Sequence, residues 1–144
     1  MAPLVSPEQI VCVGLNYLDH CKEADLDVPK YQVVFFKFAI IGERDSMEIP
    51  NNSNRVDYEE EFAVVIGKEG KYIQEEEADN YIFGSTIMND VSARDQRFFD
   101  GQWSRGKSAD IFAPIGPSIV TKNEISDPHN LNFSLKLNNA VMQE

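Results

Sequence analysis

Three carboxylates, Glu59, Glu61 and Asp90, are candidates to hold a cation. Glu59 and Glu61 stand two residues apart at the head of an apolar run, residues 58–66. On a strand, alternate side chains share a face, so Glu59, Glu61, Ala63 and Val65 point one way and Glu60, Phe62, Val64 and Ile66 the other. Residues 62–66 are apolar on both faces, which predicts a strand that becomes buried soon after Glu61. Two like charges on one face at such a mouth repel and resist desolvation unless a cation or hydrogen-bond donors neutralise them. The plainer alternative is a solvent-exposed acidic edge. Asp90 follows a second apolar run, residues 82–88, where a side chain at the strand's carboxyl end often faces a site. Three carboxylates with no Cys or His beside them suit a hard cation, Mg2+ or Mn2+ first and Ca2+ less well. Zn2+ would usually recruit nitrogen or sulfur.

A second pair is His20 and Glu23. At i, i+3 on a helical turn they share a face, and a carboxylate beside an imidazole stabilises its charged form and fixes its orientation. By spacing alone a surface helix pair is the commoner arrangement. Lys107 lies in R-G-K-S, residues 105–108, which lacks the length of a phosphate-binding loop.

These groups need elements to hold them. Residues 10–14 and 33–38 read as strands, and residues 16–23 as one or two helical turns with Asn16 as a cap. Residues 44–49 form a polar approach to another short strand closed by Pro50, and residues 51–54 a turn. Residues 58–66 are the strongest strand, followed by a turn at 67–70, a short helix at 75–80 and a strand at 81–89. Residues 92–99 suit a helix and 104–110 a loop. Pro114, Gly116 and Pro117 bracket a turn before 118–121. Residues 131–137 alternate apolar and polar as a half-buried strand does. Asn138 and Asn139 both tolerate positive φ and make a two-residue hairpin turn, with a return strand from Ala140. The reading is β-rich with short helices, without the alternating long helices of a parallel α/β sheet.

A length of 144 residues suits one domain. A formal charge of −11, with no basic cluster interleaved with aromatics, argues against nucleic-acid binding. No apolar stretch reaches the roughly 20 residues needed to span a bilayer. The first nine residues lack the basic start and apolar centre of a signal peptide. Cys12 and Cys21 form no C-x-x-C pair and read as reduced intracellular thiols, in a mitochondrial or cytoplasmic setting.

Several segments, in order, resemble the fumarylacetoacetate hydrolase family. They are G-L-N-Y-L-D-H-C-K-E at 14–23, D-Y-E-E-E-F-A-V-V-I-G-K at 57–68, N-D-V-S-A-R-D at 89–95 and Q-W-S-R-G-K-S at 102–108. P-I-G-P-S-I-V-T at 114–121 and the D-P pair at 127–128 match as well. The likeness covers nearly the whole chain and is nearest to a branch found in animals. It implies a β-rich α+β fold like the C-terminal domain of fumarylacetoacetase, a mixed β-sheet roll or sandwich with short helices, incomplete at its C-terminus. Residues 1–10 would be a lead-in and residues 11–144 the N-terminal part of the catalytic domain. It also implies that Glu59, Glu61 and Asp90 bind Mg2+ or Mn2+, and that His20 and Glu23 form an acid/base dyad on a lid-like segment. Lys107 and Arg94 would face the substrate or its oxyanion. The substrate would be a small 2-oxo or 1,3-diketo acid chelated by the metal, which stabilises an enolate. C–C hydrolysis, decarboxylation and tautomerisation all share that step. Family members pair as homodimers.

Three departures bear on the substrate. The family often has a glutamine two residues after its Ala-Arg-Asp motif; Arg97 stands there, with Gln96 one step early, so the resemblance makes Arg97 a substrate-binding candidate beside Arg94. The 38–45 loop is short, with Gly42 and Glu43 in place of a Gly-Pro pair. The family's further strands and Gly-Thr-Pro loop lie beyond Glu144, which predicts little activity for this chain alone. Two functions are therefore open: a metal-dependent enzyme on 2-oxo acids, and an inactive form that binds metal or associates with a full-length partner.

Overall fold

The structure is a computed structural model that describes residues 7–38, 40–42 and 45–143. In chain order come β1 (Ile10–Gly14), α1 (Leu18–Glu23), β2 (Val33–Lys37), β3 (Ile41–Gly42), β4 (Val56–Asp57) and β5 (Glu60–Ile66). Then follow α2 (Glu75–Ala78), β6 (Ile82–Asn89), β7 (Ser92–Ala93), α3 (Arg94–Asp100) and α4 (Trp103–Lys107). β8 (Pro114–Thr121), β9 (Leu135–Leu137) and β10 (Ala140–Gln143) complete the series. The expected β-rich α+β class holds.

The central sheet has the order β3-β8-β6-β5, with β3 parallel to β8 and the other pairs antiparallel. β1 and β2 form a separate antiparallel ladder in which Cys12 faces Phe35. β4 and β7 pair Val56 with Ala93, and β9 with β10 makes the terminal hairpin. Asn138 and Asn139 turn it with φ of 50° and 69°, the left-handed pair that a two-residue turn demands. The core lies between sheet and ladder. Met88, Ala113 and Ile115 are buried there against Ile10, Cys12, Ile40 and Ala63. A second cluster, Val91, Ala93 and Phe112, packs on Met47 and Val56.

Several expectations change. α1 opens at Tyr17 with no side-chain cap, so Asn16 does not cap it. No strand follows in residues 45–50, while Arg44 and Glu43 of the expected approach and short loop lie outside the described residues. Residues 103–107 form a helix rather than a loop. Residues 114–121 are one strand, not a turn and a strand. Pro117 falls where the ladder to β6 shifts register, so its missing N–H is not needed there. Only Leu135–Leu137 of the 131–137 alternation is strand, because β10 offers a partner to those residues alone. β5 is not buried on both faces: Val64 and Ile66 are exposed.

Candidate active site

The end of the β5–β6 ladder sets the carboxylates. Glu60 pairs with Asn89 and Glu61 with Met88. Just past the ladder, the Asp90 amide donates to the Glu59 carbonyl at 2.7 Å, and the Glu59 amide donates to Asn89 Oδ1 at 3.1 Å. Glu59, Glu61 and Asp90 therefore line one cleft of about 1520 Å3, and Glu60 does not. Strand alternation predicted that division.

The second wall is α3 and α4. The Arg94 amide donates to the Arg55 carbonyl, and Asp95 accepts from Ser53 Oγ at 2.7 Å and from the Asn54 amide at 2.9 Å. These bonds pin the first turn of α3 to the loop before β4. α3 ends at Gly101, whose φ of 74° few other residues adopt cheaply. α4 then sits against β2. Phe36 donates its amide to Ser104 Oγ at 3.3 Å and accepts at its carbonyl from Ser108 Oγ, so two serines satisfy a strand edge. Gly106 permits the close approach to α3: a Cβ there would lie 2.5 Å from the Arg97 amide nitrogen and 2.6 Å from the Ala93 carbonyl oxygen.

Asp90 is held from both sides. Lys37 Nζ is 2.5 Å from Oδ1 and Lys107 Nζ 2.6 Å from Oδ2, all three side chains being fully buried. Lys37 also donates to the carbonyls of Val91 at 2.9 Å and Lys107 at 2.5 Å, which engages all three ammonium protons. Burial lowers the Lys37 pKa, and Asp90 opposes the shift. Lys107 also binds Glu59 Oε2. Arg94 bridges two carboxylates, with NH1 2.5 Å from Glu59 Oε1 and both Nε and NH2 3.0 Å from Asp57 Oδ2. The guanidinium that resemblance assigned to substrate is thus engaged by the protein itself. Arg97 lies on the Trp103 ring, its guanidinium carbon 3.9 Å from the centroid.

Glu61 stands apart. It lines the cleft without a hydrogen bond or ion pair among the described residues. Burial first, then Glu59 and Asp90, push its carboxyl up to about 7, with Lys107 opposing. No Lys or Arg among the described residues pairs with Glu61 directly, unlike Glu59 and Asp90. The donor set therefore fits a hard dication in chemistry: three carboxylates on one wall, one of them lacking a counter-charge. As placed, no three His, Cys, Asp or Glu groups among the described residues close around one point. The Lys107 ammonium lies between Glu59 and Asp90 instead.

His20 and Glu23 both line the same cleft, on exposed α1. No hydrogen bond or ion pair joins them, so the dyad implied by resemblance is not formed as a contact. Tyr17, which opens α1, meets Phe133 of the segment before the terminal hairpin edge-on at 6.2 Å. The hairpin itself closes that side of the cleft. Gln143 fastens it to the edge of β5, donating to the Glu60 carbonyl at 2.8 Å and accepting from the Glu60 amide at 3.0 Å.

The places of Lys37, Asp57 and Cys12 at the site are not foreseen from the sequence. Lys37 had a signal: Val33, Phe35 and Lys37 share a strand phase, so its charge had to enter the core with Phe35. Asp57 heads the acidic run but was not matched to Arg94. Cys12 lines the cleft, and burial followed by Asp90 pushes its thiol up to about 12, which keeps it protonated and poorly nucleophilic. Neither cysteine is in a disulfide.

Residues 9–144 match the fumarylacetoacetate (FAA) hydrolase C-terminal family. The chain is 48% identical over 147 residues to the mitochondrial oxaloacetate tautomerase fahd2 of Xenopus laevis, covering 99% of this chain and 46% of that protein. It is 49% identical over 142 residues to an uncharacterized protein of Methanocaldococcus jannaschii, covering 97% and 59%. A solved structure, 2-hydroxyhepta-2,4-diene-1,7-dioate isomerase from Mycobacterium marinum, superposes with a TM-score of 0.83 at 40% identity, covering 96% of this chain and 51% of that one. The chain spans about half the length of the curated relatives it matches. No described helix is long and apolar enough to cross a membrane. With the sequence matched almost end to end and the fold shared, the chain belongs to the fumarylacetoacetate hydrolase family.

Proposed function

We propose that the cleft performs Mg2+- or Mn2+-dependent proton transfer on small 2-oxo acids, with keto–enol tautomerisation of oxaloacetate as its reaction. The observation that carries this is the meeting of Glu59, Glu61 and Asp90 with His20 and Glu23 on one cleft, in a chain similar to oxaloacetate tautomerases. Glu59, Glu61 and Asp90 would hold the cation. When bound, it would supply Lewis-acid polarisation of the 2-oxo carbonyl. Lys37 holds Asp90 in place from beneath, while Lys107 faces Asp90 and Glu59 from the cleft side. Lys107 would also donate to the oxygen on C2 as charge develops there. His20, oriented by Glu23 once the two close together, would take a proton from C3. The C2 oxygen gains a proton, so keto and enol forms balance in atoms and charge. Pairing of two copies, and a mitochondrial setting like that of the relatives, belong to this reading.

The test is enol–keto interconversion of oxaloacetate, followed by enol absorbance, with this chain and with the Xenopus laevis relative as positive control. Acceleration that EDTA removes and Mg2+ restores is expected. Acceleration by the control but not by this chain at any Mg2+ concentration would sink the reading for this chain.

A further inference from the structure

Lys37, Arg94 and Lys107 all hold carboxylates of the cleft, but not in the same way. Lys37 is not among the residues that line the cleft; it reaches Asp90 from β2 with a side chain 1% exposed. Its three protons go to Asp90 Oδ1 at 2.5 Å and to the carbonyls of Val91 at 2.9 Å and Lys107 at 2.5 Å. Two of those acceptors are buried main-chain oxygens, so moving the ammonium would strand them. Arg94 is anchored too. Its Nε and NH2 hold Asp57 Oδ2 at 3.0 Å while NH1 takes Glu59 Oε1 at 2.5 Å.

Lys107 is of another kind. It lines the cleft, and among the described residues its ammonium donates to two carboxylates, at Glu59 Oε2 and, at 2.6 Å, Asp90 Oδ2. Lys37 fixes its main chain, yet its side chain can leave either carboxylate without stranding a backbone group. The carboxylate oxygens are therefore unequal. On Asp90 and on Glu59 one oxygen is tied to an anchored cation, and the other is offered on the cleft side. Glu61 has no hydrogen bond or ion pair among the described residues, so both its oxygens are open to the same cleft.

Hard dications answer such a set differently. Ca2+ takes about six to eight oxygens and commonly grips both oxygens of a carboxylate, whereas Mg2+ keeps a tight octahedron completed by water. Mn2+ accepts the same octahedral oxygen shell. We infer that Lys37 and Arg94 are positioning residues for the cation: by occupying Asp90 Oδ1 and Glu59 Oε1 they hold each carboxylate to a single ligating oxygen, and so make the site select Mg2+ and Mn2+ against Ca2+. This rests on the cation reading above and adds what sets the choice of ion. Both residues act through a carboxylate and neither would touch the ion.

Calorimetric titration with MnCl2 and with CaCl2 tests this on the wild-type chain, Lys37→Met and Arg94→Met. The wild type should bind Mn2+ at least about tenfold more tightly than Ca2+. Each variant removes a positive charge near the site, which favours both dications alike, so the ratio of the two affinities isolates the geometry. That ratio should fall by at least about fivefold in each variant, as a freed oxygen lets Ca2+ take a carboxylate by both. A merely structural or electrostatic role would move both affinities together; an unchanged ratio in either folded variant overturns the inference. Should Lys37→Met not fold, Arg94→Met reads the same ratio from a side chain 20% exposed. Ca2+ bound as tightly as Mn2+ by the wild type overturns the inference without any variant. If the wild type binds neither ion, the cation reading itself fails, and the inference with it.

Discussion

Lys37 and Asp90 face each other at 2.5 Å, both side chains at most 2% exposed. A buried pair of this kind holds geometry more than it adds stability, but losing one partner strands the other in a poor medium for charge. Lys37→Met should therefore destabilise the chain by roughly 3–5 kcal/mol in urea unfolding. A loss under about 1 kcal/mol would mean that Lys107 alone neutralises Asp90.

Glu61 predicts a pH dependence. Its folded pKa, about 7, lies above its ordinary value of 4.5. The folded state thus binds the proton more tightly than the unfolded chain. The stability this contributes is fully present below pH 4.5 and is lost as pH rises to about 7. The loss is on the order of 3 kcal/mol across that window. Thermal melts from pH 4.5 to 8 should show the decline, and Glu61→Gln should flatten it. An identical slope in the variant would assign the decline to another group.

Metal binding follows strand phase. Glu59→Gln, Glu61→Gln and Asp90→Asn should each abolish calorimetric binding of Mn2+, whereas Glu60→Gln should keep it. Loss in the Glu60 variant with retention in the Glu61 variant would reverse the assigned faces of β5.

His20 separates the reactions open to the family. If water must be activated for C–C hydrolysis, His20→Ala should lower kcat by roughly 10²–10⁴-fold with Mn2+ affinity unchanged. Tautomerisation, which activates no water, should tolerate the change better. Parallel loss of Mn2+ binding would show that α1 belongs to the cation site rather than to proton transfer.

Gln143→Ala removes two hydrogen bonds to the Glu60 backbone, and a cost of about 1–2 kcal/mol follows. Hydrogen exchange at the Glu60 amide is the direct readout. Protection equal to the wild type would mean that the hairpin stays docked by other contacts.

The strand framework was legible because period-two patterns and turn residues report local backbone directly, as at β5, β6 and the Asn138–Asn139 turn. Strand phase also put Glu59 and Glu61 on one face, whereas the family resemblance, not local pattern, joined Asp90 to them. What escaped depends on distant partners. Pro117 resembles a break until β6 supplies the register shift that tolerates it, and residues 131–134 lose strand because β10 is too short to pair them. Residues 103–107 lack an apolar stripe of their own, and become helix through Gly106 and the two serines on Phe36. Arg94 was visible as a cation, but its attachment to Asp57 spans 37 positions and leaves no local mark.

Gly106 brings the backbones of α3 and α4 into contact, and helices in such contact do not slide past each other separately. Lys107 is the next residue of α4, and Arg97 is the residue of α3 that Gly106 touches. The two cations therefore ride on one rigid jaw. The positions of Lys107 and Arg97 relative to each other are therefore set by one backbone contact, and any side chain at position 106 would shift both at once.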